Sequence, residues 1–394
     1  MIPWFIAIAG TAAAIFTLPG SLELLALTAG AILPARRRRK QHPRSEALAR
    51  IAVVVPAHDE ETCIERCVTS IRGAADAGTA IVVVADNCAD RTGELAERAG
   101  ARVLVRRDPG RRGKGYALDF AFRQLLAEDF DAFIVIDADS VAESNLIAEF
   151  RRLFQAGAGA VQCRYLVSNA GESIRTRLMQ LALLGFNVLR PKGRDRWGFS
   201  AGILGNGFGL TRETLLSVPY EARSVVEDLE YHLRLVRAGW RVWFADAASV
   251  WGEMPAAGRG ASTQRARWEG GRFRMLGEAG PVLAREVLKG QVRLVEPLLD
   301  LLLLPLAFHV LLLGAALAAP GPVRVYAASG IALVLIHVVA SIRVGGGSFK
   351  NLATLGAAPF YIAWKVLLLG TIWRAAKPDS AWVRTERRTT RGQM

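Results

Sequence analysis

Four short apolar runs constrain this chain more than anything else in it: IAVVVPAH (51–58), IVVVADN (81–87), RVLVRR (102–107) and DAFIVIDAD (131–139). They are too short for helices, rich in Val and Ile, and largely free of the polar alternation that marks a half-exposed strand. Strands of that kind are buried on both faces, as in a parallel sheet covered by helices. The segments between them agree. EETCIERCVTSIRGAADAG, ADRTGELAERAG and KGYALDFAFRQLLAED read as helices, so strand and helix alternate. The predicted fold is α/β, a doubly wound, mostly parallel sheet. Ligands of such sheets bind beyond the carboxyl ends of the strands. PAHDE, DNCAD and DADS all fall there.

The flanks are of a different kind. Residues 1–33 hold no basic residue and one acid, Glu23, and are followed at once by ARRRRK. A span needs about 20 apolar residues, so residues 1–35 are predicted as one long transmembrane segment, or one broken at Leu18-Pro19-Gly20. The basic run stands on the wrong side for a signal peptide and marks the cytoplasmic side. Beyond Glu296, PLLDLLLLPLAFHVLLLGAALAA and VYAASGIALVLIHVVASI predict a transmembrane hairpin over 297–343, preceded by an interfacial segment, 276–296. Residues 350–375 carry Lys365 in mid-stretch and are predicted as an interfacial helix or a third C-terminal span. A basic tail, 376–394, follows. The soluble domain is predicted over 50–275, on the cytoplasmic side of a multi-pass protein of the cell inner membrane.

Hydrophobic residues make up 52% of the 394, and the formal charge is +14. That charge admits nucleic acid, an anionic membrane surface or an anionic substrate. The basic residues cluster at membrane edges, with no RNA-binding motif, so the lipid bilayer is the predicted partner and nucleic acid is not. Three spans are few for a transporter. Cys63, Cys67, Cys88 and Cys163 show no paired metal spacing and read as small hydrophobes in a reducing compartment.

Asp137 and Asp139 are separated by one alanine, so in extended chain they point to one side. Two like charges that close call for a cation between them. Hard oxygen ligands suit Mg²⁺ or Mn²⁺, which also take phosphate oxygens. Asp86 ends the second strand, where a carboxylate can accept from a base or ribose. Pro56 and Glu60 stand at the end of the first strand. Glu60 also opens a helix, where an acid is favourable in any case. GRRGKGY lacks the Ser or Thr of a Walker A loop, and no G-x-G-x-x-G follows the first strand. The nucleotide is therefore expected to be held by metal and carboxylates, which points to a sugar nucleotide. SVVEDLEYHLRLVRAGW puts Glu227 and Asp228 at a helix start, either as dipole partners or as a catalytic carboxylate. In STQRARWEGGRFRM, Gln264, Arg265, Arg267 and Trp268 read as a basic membrane-surface helix, or as a diphosphate-facing arginine beside a ring on which a sugar stacks.

In order and spacing, Asp86, Asp137-Ala-Asp139, Glu227-Asp228 and Gln264-Arg-Ala-Arg267-Trp268 resemble the D, DxD, D, QxxRW pattern of membrane-bound family 2 glycosyltransferases. These are the relatives of cellulose, hyaluronan and chitooligosaccharide synthases and of ceramide glucosyltransferases. The resemblance covers about residues 50–274 and implies a GT-A fold. It places Asp86 on the uridine, Asp137 and Asp139 on ribose and metal, and Asp228 as general base. It also implies that Gln264, Arg267 and Trp268 line the acceptor and diphosphate site, and that Lys114 holds nucleotide. Trp382-Val-Arg-Thr385 resembles the gating segment of the synthases. The membrane part is smaller than in cellulose synthases. The implied reaction uses one base and direct attack, with negative charge growing on a leaving diphosphate, so it inverts the anomeric centre. A sugar of glucose or N-acetylglucosamine type would pass from a UDP-sugar to a growing polysaccharide or lipid-linked acceptor in β-linkage. The alternative is a single addition to a membrane lipid. Polyprenyl-phosphate sugar transferases share the Asp-x-Asp but lack QxxRW. Chain extension through three spans would call for a homo-oligomer or an export partner.

Overall fold

The computed structural model describes residues 2–34, 49–221, 224, 226–255 and 258–375. Trp382, the tail 376–394 and the ARRRRK run lie outside the described residues. In chain order the elements are α1 (Ile2–Ile32), β1 (Ile51–Ala57), α2 (Ile64–Ala74), β2 (Thr79–Asp86), α3 (Thr92–Arg98), β3 (Arg102–Arg106) and α4 (Lys114–Leu125). Then come β4 (Ala132–Val135), β5 (Ser140–Ala142), α5 (Leu146–Gln155), β6 (Ala160–Val167), α6 (Ile174–Leu184), α7 (Arg190–Trp197), β7 (Phe208–Thr211) and α8 (Arg212–Ser217). The rest are α9 (Glu227–Arg237), β8 (Val242–Gly252), α10 (Gly258–Leu288), α11 (Val295–Leu302), α12 (Leu306–Ala316), α13 (Pro322–Gly345), α14 (Ala358–Leu367) and α15 (Leu369–Ala375).

The described chain divides into two compact units, one drawn from Arg36–Ala170 and Ser200–Ala261, the other from Met1–Ala35, Gly171–Phe199 and Ser262–Ser380. The first is the α/β unit. Its eight strands form one sheet in the order β3-β2-β1-β4-β7-β6-β8-β5. β1 pairs in parallel with β2 and β4, and β2 with β3, as the four apolar runs require. Beyond β4 the sheet becomes mixed: β7 runs antiparallel to β4 and β6, β6 is parallel to β8, and β5 is antiparallel to β8. Ile51 to Val55 and Val82 to Val84 are fully buried, as expected for central strands covered on both faces. Ile64, Cys67, Val68 and Ile71 of α2, and Leu146, Ile147, Phe150, Leu153 and Phe154 of α5, meet the core along one helical face each.

The second unit is largely helical and apolar. Among the described residues, Trp4–Ile32 and Pro322–Gly345 are long and apolar enough to cross a membrane. α1 runs unbroken through Pro19. Flanking hydroxyls support it: Thr17 Oγ1 donates to Ala13 O (2.9 Å), and Ser21 and Thr17 both meet Tyr326 OH. The expected first arm of the hairpin is not straight. Val292–Leu302 and Leu306–Ala316 meet at 77°, and only as one broken crossing do they make a third span. The cause is Pro305, which cannot donate and drives Leu304 out of helical geometry. Arg272 donates to two carbonyls at the break, Asp300 O and Leu303 O. Residues 350–375 form no long helix either, since Phe349–Ala357, α14 and α15 are short and separate.

The two compact units divide the chain differently from the predicted soluble domain, 50–275. α6, α7 and most of α10 fall in the apolar unit, and α10 runs on to Leu288, into the stretch predicted as interfacial, 276–296. Buried charge explains part of this. Arg194 of α7 pairs with Glu296 and Asp300 of α11 and lies 3.8 Å from Glu23 of α1, while Arg272 of α10 holds Asp300 at 3.1 Å. Such groups are costly to desolvate alone, so they are found together. Periodicity along one element carries no trace of that grouping.

Candidate active site

The carboxyl end of β4 is where the acids gather. β4 stops at Val135, and Asp137 and Asp139 lie on the turn that leads to β5, with Ser140 N–H donating to Asp137 O (3.0 Å). The pair is therefore not in extended chain, and the same-side argument from strand geometry does not apply. Asp137 accepts from the Lys114 ammonium, and Asp139 Oδ1 from Ser140 Oγ at 3.2 Å.

Lys114 is the first residue of α4, and its side chain is 21% exposed. Its ammonium bridges Asp137 and the carbonyl of Gly205. Desolvation acts to lower its pKa, but Asp137, Glu227 and Asp228 outweigh that and the net shift is upward. Four side chains from three elements thus share one electrostatic site. Asp228 occupies the second position of α9 and accepts from the Leu229 N–H at 2.8 Å. Burial pushes its carboxyl up, Asp137 adds to that, and Leu229 N–H and Lys114 pull the other way. A carboxylate poised above its usual range next to a cation is suited to accepting a proton.

Asp86 sits at the end of β2, buried, directly across from Arg106 at the end of β3. Arg106 Nη1 and Asn87 Nδ2 both donate to Asp86 Oδ1, at 2.6 and 2.9 Å. Desolvation still raises the Asp86 pKa against the pull of Arg106. Nearby, the 58–63 and 87–92 loops are stitched together. His58 Nδ1 meets Asp86 O at 2.7 Å, Asp59 Oδ1 accepts from Ala89 N–H at 2.7 Å, and Thr92 Oγ1 accepts from Glu60 N–H at 2.7 Å. Glu60 Oε2 accepts from Cys63 Sγ at 3.1 Å, and Pro56 lies in β1 opposite Val84. Cys67 and Cys163 are fully buried, while Cys63 and Cys88 are only partly so. Gln264, Arg267 and Trp268 lie on α10, in the other unit, all partly buried.

Several residues of the site escaped the sequence reading. Asn206 is fully buried, accepts from Asp137 N–H at 3.1 Å and donates to Ser140 Oγ at 2.8 Å, which fixes the aspartate turn. Gln162 of β6 donates to Asn206 O (2.8 Å) and accepts from Leu204 N–H (2.9 Å). Among the described residues Tyr220 OH is buried without a hydrogen-bond partner, and burial first, then Glu227, Asp228 and Asp137, raises its pKa. The signal for Asn206 was the glycine pair in ILGNGFGL, since Gly205 and Gly207 both adopt positive φ. Gly205 is the sharper case. Its φ is +78°, and an added Cβ would stand 3.1 Å from Asp228 Oδ2. Gly205→Ala is expected to cost about 1–3 kcal/mol of stability, and to lower kcat by displacing Asp228. Denaturant unfolding and steady-state rates check both; an unchanged kcat would mean that Asp228 tolerates the shift.

The sequence family described as glycosyltransferase like family 2 matches residues 49–271. Over 243 residues the chain is 26% identical to the probable glycosyltransferase YdaM of Bacillus subtilis (strain 168), covering 59% of this chain and 57% of that one. Over 236 residues it is 25% identical to the probable glucomannan 4-beta-mannosyltransferase 1 of Arabidopsis thaliana, covering 56% and 42%. The matches thus span about half the length of these relatives. In fold, the chain is similar to the mannosyltransferase PcManGT of Pyrobaculum calidifontis, solved with GDP-Man and Mn²⁺, with TM-score 0.52 at 20% identity over 91% of this chain and 98% of that one. The mixed eight-stranded sheet, the acids at its carboxyl edge and the family match over more than half its length lead to one conclusion: this chain is a glycosyltransferase of family 2, with a GT-A fold.

Proposed function

We propose that the protein is an inverting membrane glycosyltransferase. It takes a sugar of glucose or N-acetylglucosamine type from a UDP-sugar and forms a β-glycosidic bond to a growing polysaccharide or lipid-linked acceptor. The observation that carries this reading is the Lys114 ammonium bound by Asp137 beyond β4, with Glu227 and Asp228 at the start of α9 near enough to raise its pKa. The two helices long enough to cross a membrane support its attachment to a bilayer, with the α/β unit on the cytoplasmic side.

The residues fit a divalent ion. Asp137 and Asp139 are hard oxygen donors on one partly exposed turn, and Asp137 already binds a cation in Lys114, as Mg²⁺ or Mn²⁺ would require. When bound, the ion would neutralise charge on the leaving diphosphate. Arg106 and Asn87 both occupy Asp86 Oδ1, which leaves Oδ2 to accept from the ribose or base. Since β1 lies between β2 and β4, Asp86 and the aspartate turn stand about two strand spacings, or roughly 10 Å, apart, a separation that a nucleoside diphosphate bridges. Lys114, released from Asp137, donates to the diphosphate. Asp228 takes the proton of the attacking hydroxyl. Gln264, Arg267 and Trp268 are assigned to acceptor and diphosphate by their motif.

The names of two relatives favour a second donor, GDP-mannose. A panel of UDP-glucose, UDP-N-acetylglucosamine and GDP-mannose, with nucleoside diphosphate release measured on purified protein, decides between them. Release of UDP is the expected result. Release of GDP alone replaces the donor, and release from none of the three overturns the reading. Product length then separates chain extension from a single addition to lipid.

A further inference from the structure

In the apolar unit, α6, α10 and α14 bring together a set of cations and aromatic rings of which the proposed transfer reaction uses only Trp268. Arg265 of α10 reaches Tyr361 OH of α14 at 2.8 Å and lies over the Trp268 ring, 5.9 Å from its centroid. Arg175 of α6 lies over the Trp364 ring at 4.2 Å, and Tyr361 and Trp364 pack at 5.5 Å. Lys365, buried, pairs with Glu269 at 2.5 Å, and Arg265 comes within 3.6 Å of the same carboxylate. Two cations therefore share one acid, and Arg175 stands close enough to Arg265 for the two charges to repel.

The imbalance shows in the hydrogen bonds. Among the described residues, Nε and Nη2 of Arg175 and Nε of Arg265 are shut off from solvent without a hydrogen bond, and so are both oxygens of Glu269, which Lys365 and Arg265 meet as an ion pair. A buried donor left unmade costs about 1–3 kcal/mol, more for a charged group. Among the described residues Arg175 makes no ion pair to offset this, and it lies against the face of Trp364. An anionic oxygen group placed between the two guanidinia would satisfy all three donors and the surplus charge together. The helices that carry these groups, with α15, also expose apolar side chains. Ile174 and Phe360, chain neighbours of Arg175 and Tyr361, are 59% and 79% exposed, and Leu367 and Trp373 are 83% and 74% exposed. Exposed apolar residues in that number mark a surface that meets lipid or a partner.

We infer that Arg175 and Arg265, with Tyr361 and Trp364, form a binding site for the phosphate headgroup of an anionic phospholipid whose acyl chains lie on the apolar collar of Ile174, Phe360, Leu367 and Trp373. The site holds the short α14 against α6 and α10 from the membrane side. It does not depend on the identity of donor or acceptor.

The test uses the full chain in detergent micelles, with native mass spectrometry reading bound lipid. Phosphatidylglycerol and phosphatidylcholine are titrated separately, and inorganic phosphate is added as competitor. The wild type is expected to retain one phosphatidylglycerol in preference to phosphatidylcholine. Arg175→Met, which keeps the stem on Trp364, should weaken that binding about ten- to hundredfold. Arg175→Lys keeps the charge, so it should lose far less than Arg175→Met, which separates a lost ligand contact from a lost fold. Equal binding of phosphatidylglycerol by wild type and Arg175→Met overturns the assignment. Displacement of the lipid by inorganic phosphate at equal concentration overturns it too, because the site would then take phosphate without chains.

Discussion

Asp228→Asn is expected to lower kcat by about 10²–10⁴-fold, the contribution of a positioned general base, while donor affinity by calorimetry stays within a few-fold of wild type. The interaction lost is realised mainly in the transition state, so it appears in turnover and not in ground-state binding. Glu227→Gln is the control. It stands one residue earlier in the first turn of α9, where an acid serving only the helix dipole is worth about 0.3–1 kcal/mol. The pH profile gives a second readout. Burial and Asp137 raise the Asp228 carboxyl above its usual range. A base works deprotonated, so the acid limb of kcat/KM should climb with rising pH through that raised pKa and not near the ordinary aspartate value. Loss of donor binding in Asp228→Asn, with loss of turnover in Glu227→Gln, would exchange the two roles.

Chelation should have an effect as large. EDTA is expected to abolish transfer, and added Mn²⁺ or Mg²⁺ to restore it, since two carboxylates and a diphosphate cannot share one site without a cation. Asp139→Asn should lose activity yet insert, purify and unfold as the wild type does. Asp139 is partly exposed on the turn and accepts from the adjacent Ser140 Oγ, outside the apolar core. Full turnover in chelator would sink the metal assignment and leave Lys114, already bound to Asp137, as the cation of the site.

Much of the α/β unit was legible because its signals are local. A run such as IAVVV has one stable solution, a central parallel strand, and β1, β2, β3 and β4 appear where the four runs stand. Position alone also put Asp86 and Asp137 at or just beyond the carboxyl ends of β2 and β4, whatever their partners. The second half of the sheet was less legible. β5 and β7 are three and four residues long, and in strands that short the pairing is set by neighbours. The aspartate pair shows the limit of strand geometry: its spacing suggested extended chain, whereas β4 ends at Val135 and a turn, fixed by Asn206 from 69 residues beyond Asp137, positions both acids.

The sequence by itself determined what each segment has to bury: the parallel strands, the amphipathic α2 and α5, and the two apolar helices long enough to cross a membrane. It also determined which residue types stand at the strand ends. Tertiary structure decided everything that depends on charge meeting charge at long range. Arg106 became the partner of Asp86, Lys114 that of Asp137, and Arg194 and Arg272 drew α7 and α10 into the apolar unit. The physical reason is the same in each case. Hydrophobic burial follows a residue's own character and the period of its segment, and both can be read along the chain. A buried charge is stable only beside the particular opposite charge that the fold delivers to it.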